Sequence, residues 1–154
     1  MRATLDLVRD LAAADRGLAV AVTLRRDGTP QASVVNAGVL DHPLRREPVV
    51  GFVARGGTAK LHHLRQRPYA TLVFRAGWEW AAVEGEADLV GPDDRLEGMG
   101  ADDVRLLLRA IFTAAGGRHD DFDEYDRVMA AERRTAVLVR PARGTTNPEH
   151  AGKR

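Results

Sequence analysis

The chain has 154 residues, 44% of them hydrophobic, which fits one domain able to bury about two-thirds of its unfolded surface. Its 23 lysines and arginines nearly balance 22 aspartates and glutamates, so the net charge of +1 excludes a general electrostatic attraction to nucleic acid or an anionic membrane. The absence of cysteine excludes disulfides, thiolate catalysis and Cys-ligated metals, and no run approaches the ~20 apolar residues of a membrane span. The start of the chain has no signal-peptide pattern, so a soluble cytoplasmic protein is expected.

The first third of the chain is predicted to contain one helix and three strands. Apolar residues at helical spacing over 5–12 predict a short opening helix. A period of two over 18–24 puts the large residues on one face of a first strand, and Asp27-Gly28 predicts a hairpin into a second strand over 31–39. A third strand is predicted over 49–54, after a loop with two prolines.

A glycine turn is predicted to join the third strand to a short helix that Pro68 ends. Gly56-Gly57 allows the backbone to approach a ligand closely, because glycine has no Cβ. Thr58 is placed either to cap the helix or to donate its hydroxyl to a phosphate.

The first turns of this helix are basic, which indicates an anion site. A helix N-terminus has unpaired N–H groups and a partial positive charge, so Lys60, with Arg55 and Arg65 nearby, is predicted to form a seat for a phosphate. The alternative is an ordinary solvated basic face of a helix.

A fourth strand over 69–75 and a long fifth strand over 78–90 follow, and the acidic row of the fifth strand is expected on a solvated face. Trp78 and Trp80 share one face of that strand. Two large aromatic residues at this spacing either wall a flat ring, seal a subunit contact or pack in the core.

The last third is predicted to contain two helices and a sixth strand. An amphipathic helix starts near Asp102-Asp103, a shorter helix covers 122–128, and the strand covers 135–140. Residues 142–154 have little to bury and are expected to be mobile, or ordered only against a partner.

These elements predict a mainly β fold with α-helices, namely a six-stranded antiparallel split β-barrel with peripheral helices. Residues 1–141 would form the single domain and residues 142–154 a flexible tail. The sequence has no dinucleotide or P-loop motif, no recognisable catalytic triad and no metal-ligand spacing, so no catalytic residue and no metal site are predicted.

Three segments in this order resemble the split-barrel flavin and deazaflavin reductases, the pyridoxamine-phosphate-oxidase-like superfamily with its FMN-binding split barrel. They are residues 24–33 leading into the second strand, Thr58-Ala59-Lys60 with 64–68 on the basic helix, and 77–85 on the fifth strand. Residues 121–125 with Arg133-Arg134 resemble the branch that uses the deazaflavin coenzyme F-420.

The resemblance implies a homodimer with two cofactor sites at the subunit interface and a flat ring lying along the second strand. The cofactor-binding residues that it implies are Ser33, Val34, Val35, Asn36, Phe52, Val53, Arg55, Thr58, Lys60, Arg65 and, from the partner subunit, Trp78. Thr58 stands where the family often has Arg or Lys, so one formal charge is lost there and Arg55 is the candidate to replace it.

The first functional hypothesis is an oxidoreductase that passes hydride from reduced F-420 to a small organic acceptor such as an enone, a quinone or a tetrapyrrole. Such an enzyme needs binding, orientation and exclusion of water more than a protein acid or base. An FMN-dependent oxidase or reductase of the same fold is the second hypothesis. A non-catalytic binder of flavin, deazaflavin or haem is the third.

Overall fold

The computed structural model describes residues 1–147, so the last part of the predicted tail, 148–154, lies outside the described residues. The elements in chain order are α1 (Arg2–Ala14), β1 (Leu18–Leu24), β2 (Pro30–Asp41), β3 (Pro48–Ala54), α2 (Ala59–Gln66), β4 (Tyr69–Ala76), β5 (Glu79–Val90), α3 (Ala101–Ala114), α4 (Phe122–Ala131), β6 (Thr135–Val139) and β7 (Arg143–Thr146). Within this part of the chain, no helix is long and apolar enough to cross a membrane.

Six of the strands close into an antiparallel barrel. The order is β4-β1-β2-β3-β6-β5, and β4 also pairs with β5, which completes the ring. The predicted six-stranded antiparallel barrel with peripheral helices is therefore confirmed.

The seventh strand, β7, pairs with residues 81–84 in the first half of β5 and was not predicted. The Thr146 hydroxyl donates to the Trp80 carbonyl at 2.7 Å, and the Asn147 side-chain amide donates to the Trp78 carbonyl at 2.7 Å. For residues 143–146 the structure thus differs from the predicted mobile tail. Backbone pairing and side-chain hydrogen bonds hold this strand, so its sequence has no apolar periodicity that would predict it.

The barrel interior is filled by the protein's own side chains, large and small. Phe52, Phe74 and Leu72 supply most of the bulk, and Leu61 and Leu64 of α2 join the same buried cluster. Residues of α1, four strand valines and seven strand alanines also belong to it; the alanines are Ala19, Ala21, Ala37, Ala54, Ala70, Ala81 and Ala87.

On β1 the small residues face inward and the large ones face outward. Val20 pairs with Val34 of β2 on one side and with Val73 of β4 on the other, so these three residues form an outward valine row across three strands. Val34 is 66% exposed and Val20 is 38% exposed. The row is therefore an exposed apolar strip on the outside of the barrel.

The C-terminal end of α3 lies directly on a pair of glycines. Gly38 of β2 is paired with Gly51 of β3, and a methyl group built on Gly38 would lie 2.3 Å from the carbonyl oxygen of Ala114. A methyl group on Gly51 would lie 3.3 Å from the side chain of Ile111. The missing side chain of Gly38 lets the backbone at the end of α3 approach the sheet, and that of Gly51 leaves room for the side chain of Ile111.

The acidic row of β5 is paired rather than simply solvated. Asp88 accepts a hydrogen bond at 2.9 Å from Nε2 of His42, whose side chain is only 2% exposed. Nδ1 of the same ring accepts the backbone N–H groups of Leu44 and Arg45, each at 3.2 Å, which assigns the ring proton to Nε2. His42 therefore ties the loop after β2 to β5.

Candidate functional site

A cleft of about 470 Å³ lies between the barrel wall and the pair α3–α4. We call it the cofactor cleft. Strands β2 and β3 supply one wall, with Val34, Val35, Asn36 and Val53. The opposite wall comes from the two helices, with Ile111, Phe112, Ala115, Tyr125 and Met129.

The cofactor cleft has a strongly one-sided charge. Its lining cations are Arg16, Arg55, Lys60 and Arg134, and among the described residues that line it none is an aspartate or glutamate. Arg55 and Lys60 come from the segment around the start of α2, whereas Arg16 and Arg134 come from distant parts of the chain and join them only in the folded structure. Because the whole chain is nearly neutral, this local excess of positive charge would attract an anion to the cleft rather than to the surface in general.

Lys60 is half-buried on the first turn of α2. Burial is the main reason that the pKa of its ammonium is lowered, and the positive charge of Arg134 lowers it further. Both influences disfavour the charged form of Lys60, and the second arises because Lys60 and Arg134 repel each other. A bound anion would relieve this repulsion.

Thr58 occupies the N-cap of α2 without capping it. Its backbone is extended, with φ −73° and ψ 152°, and its side chain makes no cap hydrogen bond. The buried Thr58 hydroxyl oxygen makes no hydrogen bond with any atom of residues 1–147. A buried polar atom without a partner is costly unless a ligand satisfies it, so these residues fit the phosphate of a cofactor.

The structure brings seven of the predicted site residues into the cofactor cleft. They are Val34, Val35, Asn36, Val53, Arg55, Thr58 and Lys60. The Asn36 side-chain amide donates to the backbone carbonyl of Arg16 at 2.9 Å, which joins β2 to the turn before β1.

The other four predicted residues do not line the cofactor cleft. Phe52 is fully buried in the barrel interior, so its side chain cannot reach a ligand there. Arg65 instead holds Asp94 through two hydrogen bonds, at 2.9 and 2.7 Å. Ser33 lies on β2 opposite Ala21 and outside the lining, and Trp78 is 94% exposed at the turn between β4 and β5.

Sequence reasoning missed the helical wall and two of the cations. Phe112 and Tyr125 pack with ring centroids 4.9 Å apart, and the Tyr125 hydroxyl donates to the Leu108 carbonyl at 3.1 Å. Burial raises the pKa of this phenol. The pair Arg133-Arg134 was part of the resemblance but carried no site assignment, and nothing in the sequence marks Arg16.

The arrangement suits a ligand with an anionic end and a flat apolar end. The anion would lie against Lys60, Arg134 and the Thr58 hydroxyl, while valines and aromatic side chains contact the flat part. The phenol of Tyr125 on the helical wall already donates a hydrogen bond to a backbone carbonyl. The lining thus favours binding and orientation over proton transfer by a side chain.

Comparison with known proteins agrees with this geometry. A family model described as pyridoxamine 5'-phosphate oxidase matches residues 7–146. A solved structure described as an F-420 reductase is 16% identical with a TM-score of 0.58, and the match covers 86% of this chain and 91% of that chain.

Two further solved structures share the fold. An FMN-binding protein related to pyridoxamine 5'-phosphate oxidase, from Nostoc punctiforme, is 16% identical with a TM-score of 0.61, covering 93% of this chain and 78% of that chain. A heme binding protein from Mycobacterium smegmatis is 15% identical with a TM-score of 0.59, covering 96% of this chain and 59% of that chain. At these identities the likeness concerns the fold alone.

Proposed function

Since this chain belongs to the pyridoxamine 5'-phosphate oxidase family, we propose that it is an oxidoreductase that binds a flavin-type cofactor in the cofactor cleft. The preferred cofactor in this proposal is the deazaflavin coenzyme F-420, and the reaction is hydride transfer to a small organic acceptor. The observation that carries the proposal is the cleft lining, in which residues 1–147 supply four cations and no carboxylate.

The number of cations is the reason for preferring F-420. This coenzyme carries a phosphodiester and a glutamyl tail, so it presents several anionic groups, whereas FMN presents a single phosphate. Lys60 and Arg134 suffice for one phosphate, and Arg16 and Arg55 remain for further anions. Arg55 is exposed, which suits a group that extends out of the cleft.

In this proposal the chain's own residues bind and orient. The first turn of α2 and the Thr58 hydroxyl hold the phosphate, and β2 supports the ring through Val34, Val35 and Asn36. Phe112 on the helical wall helps to exclude water. When bound, reduced F-420 supplies the hydride, which is chemistry that the protein does not need to provide itself.

A side-by-side titration of the purified chain with F-420 and with FMN tests the choice of cofactor. We expect F-420 to bind at least about tenfold more tightly, because it engages more of the cations. Quenching of cofactor fluorescence measures both affinities in the same buffer. Failure of both compounds to bind at concentrations of about 100 μM would overturn the proposal.

An FMN-dependent oxidase or reductase is the second candidate, and a specific observation favours it. The seat formed by Lys60, the Thr58 hydroxyl and the N-terminus of α2 is complete for a single phosphate. Tight retention of FMN through purification, with a flavin absorbance spectrum, would select this candidate over F-420.

We also propose that two copies of the chain associate through the valine row. Val34 belongs both to this row and to the cofactor cleft, so a second copy on the row would also close the cleft. Trp78, which is 94% exposed, would then contact the partner's cleft. The small residues on the inner face of β1 support this assembly, because they leave the larger apolar residues to a partner.

Introducing a charge into the valine row is expected to separate the dimer. Val20→Glu places a carboxylate in the middle of the row without altering a residue of the cleft lining, and we expect a monomer at about 10 μM because burying an unpaired charge is costly. Light scattering coupled to size-exclusion chromatography measures the mass.

The matched control is Val128→Glu, which alters another exposed valine, on α4. It should remain dimeric. A monomeric unsubstituted protein at the same concentration would contradict the proposed assembly.

A further inference from the structure

A second cavity, of about 660 Å³, lies beside the cofactor cleft. We call it the α3–α4 cavity. It is bounded by the segment after β5, the start of α3 and the end of α4, and it shares Met129 and Arg134 with the cofactor cleft. Its volume falls within the range of about 300–1,000 Å³ that is typical of small-molecule sites.

The body of the α3–α4 cavity is apolar. Leu96, Met99, Val104 and Met129 line it, and each of them is only partly buried although it packs against the second hydrophobic cluster. Apolar side chains that line a cavity and remain partly exposed gain free energy when an apolar ligand covers them. Methionine adds adaptability, because its unbranched side chain fits ligands of different shape.

The carboxylates that line this cavity are already neutralised. Asp94 receives two hydrogen bonds from Arg65, and Asp126 is held by Arg109 and Arg105. The hydrogen bonds from Arg109, and then those from Arg105, hold the pKa of Asp126 below its usual range. Asp102 lies 3.6 Å from Arg105.

The lining cations, by contrast, are not all paired. Arg95 lines the cavity, is exposed, and has no hydrogen bond or ion pair with the remainder of residues 1–147. Arg134 contacts only one oxygen of Glu132, through Nε and Nη2 at 2.8 Å each. Among the cavity-lining residues of 1–147, Arg95 is therefore the charged group that is left without a partner.

We propose that the α3–α4 cavity is a second small-molecule site, which takes an apolar aromatic or alicyclic compound with one anionic group. The apolar body lies against Met99, Leu96 and Met129, and the anionic group pairs with Arg95. The site adjoins the proposed cofactor site and shares Met129 and Arg134 with it, but Arg95, Leu96 and Met99 do not line the cofactor cleft, so the proposal does not rest on the proposed function.

A pair of fluorescent probes tests the site on the full chain. The anionic probe is 8-anilinonaphthalene-1-sulfonate and the neutral probe is N-phenyl-1-naphthylamine, which share the same aromatic body. We expect both to bind with enhanced fluorescence and the sulfonate to bind about fivefold more tightly, as one partly exposed ion pair allows.

Two substitutions on neighbouring positions locate the probes. Ala130 lines the cavity and Ala131 does not, although both are exposed near the end of α4. Ala130→Phe is expected to weaken both probes about tenfold by filling the cavity, while Ala131→Phe leaves both affinities within about twofold. Met99→Trp repeats the filling from another side of the cavity, should Ala130→Phe disturb the fold.

A second pair of substitutions tests the charge. Arg95→Gln should weaken the sulfonate about fivefold and leave the neutral probe unchanged, and Arg127→Gln, which alters an exposed arginine outside the cavity, should change neither. Lys60→Gln separates this site from the cofactor cleft and should leave probe binding intact. Equal effects of Ala130→Phe and Ala131→Phe, or no preference for the sulfonate, would overturn the proposal.

Discussion

Replacing Lys60 with glutamine is expected to weaken the binding of both F-420 and FMN by roughly tenfold to a hundredfold. A hydrogen bond to a charged group contributes about 1.5–3 kcal/mol, and Lys60 is the half-buried cation next to the unpaired Thr58 hydroxyl. The fold should be unaffected, because the substitution removes a charge that burial and Arg134 both disfavour. Cofactor fluorescence titration gives the affinities and thermal unfolding checks the fold.

The matched control is Arg65→Gln on the same helix. Arg65 holds Asp94 at the edge of the other cavity, so its removal should change cofactor affinity by less than about twofold. A large loss with Arg65→Gln and none with Lys60→Gln would place the phosphate elsewhere on α2.

The pH dependence of binding separates Lys60 from other groups. An anion favours the charged ammonium, so affinity should be highest below the lowered pKa of Lys60 and should fall as pH rises through it. Lys60→Arg keeps its charge throughout this range and should remove the decline. The same decline in Lys60→Arg would assign it to a different residue.

Replacing Gly38 with alanine is expected to lower the free energy of unfolding by about 3 kcal/mol. The added methyl group would meet the backbone of Ala114 at 2.3 Å, and a backbone atom cannot move aside as a flexible side chain does. Relief requires α3 to shift away from β2, which also displaces the helical wall of the cofactor cleft. Urea unfolding at one fixed protein concentration measures the loss.

Gly28→Ala is the control for this substitution. Gly28 lies in the turn between β1 and β2 with φ +86°, and no atom lies within 4 Å of an added methyl group. Only the left-handed backbone opposes the change, at a cost of about 1 kcal/mol. Similar losses for the two variants would show that close packing of α3 on β2 is not what Gly38 provides.

The fold was predictable because its signals are local. Asp27-Gly28 marks the hairpin between β1 and β2, and the change from a period of two to helical spacing near residue 102 marks α3. The strand β7 was not predictable in this way. Its residues face outward and are held by hydrogen bonds to the carbonyls of Trp80 and Trp78, which apolar periodicity does not encode.

The residue pattern alone predicted the anion seat, which one segment supplies, whereas Val34, Val35, Asn36 and Val53 were expected only through the resemblance. Thr58 and Lys60 follow each other along the chain, so the N-terminus of α2 could be identified as an anion seat. Arg65 seemed equivalent, but its partner Asp94 lies 29 positions further along the chain, and only the folded structure joins them. Arg134 reaches the cleft from the residues after α4, through a packing of elements that no local pattern records.

Because buried side chains fill the barrel interior, both ligand cavities lie outside it, beside α3 and α4. The cofactor cleft and the α3–α4 cavity both use α3 and α4, whose buried residues pack in one cluster with residues of β3, β5 and β6. Substitutions at exposed cavity-lining positions of these helices, such as Ala130, can alter ligand preference while leaving that packing in place. A gene with this layout can acquire new substrates in evolution at little risk to its fold.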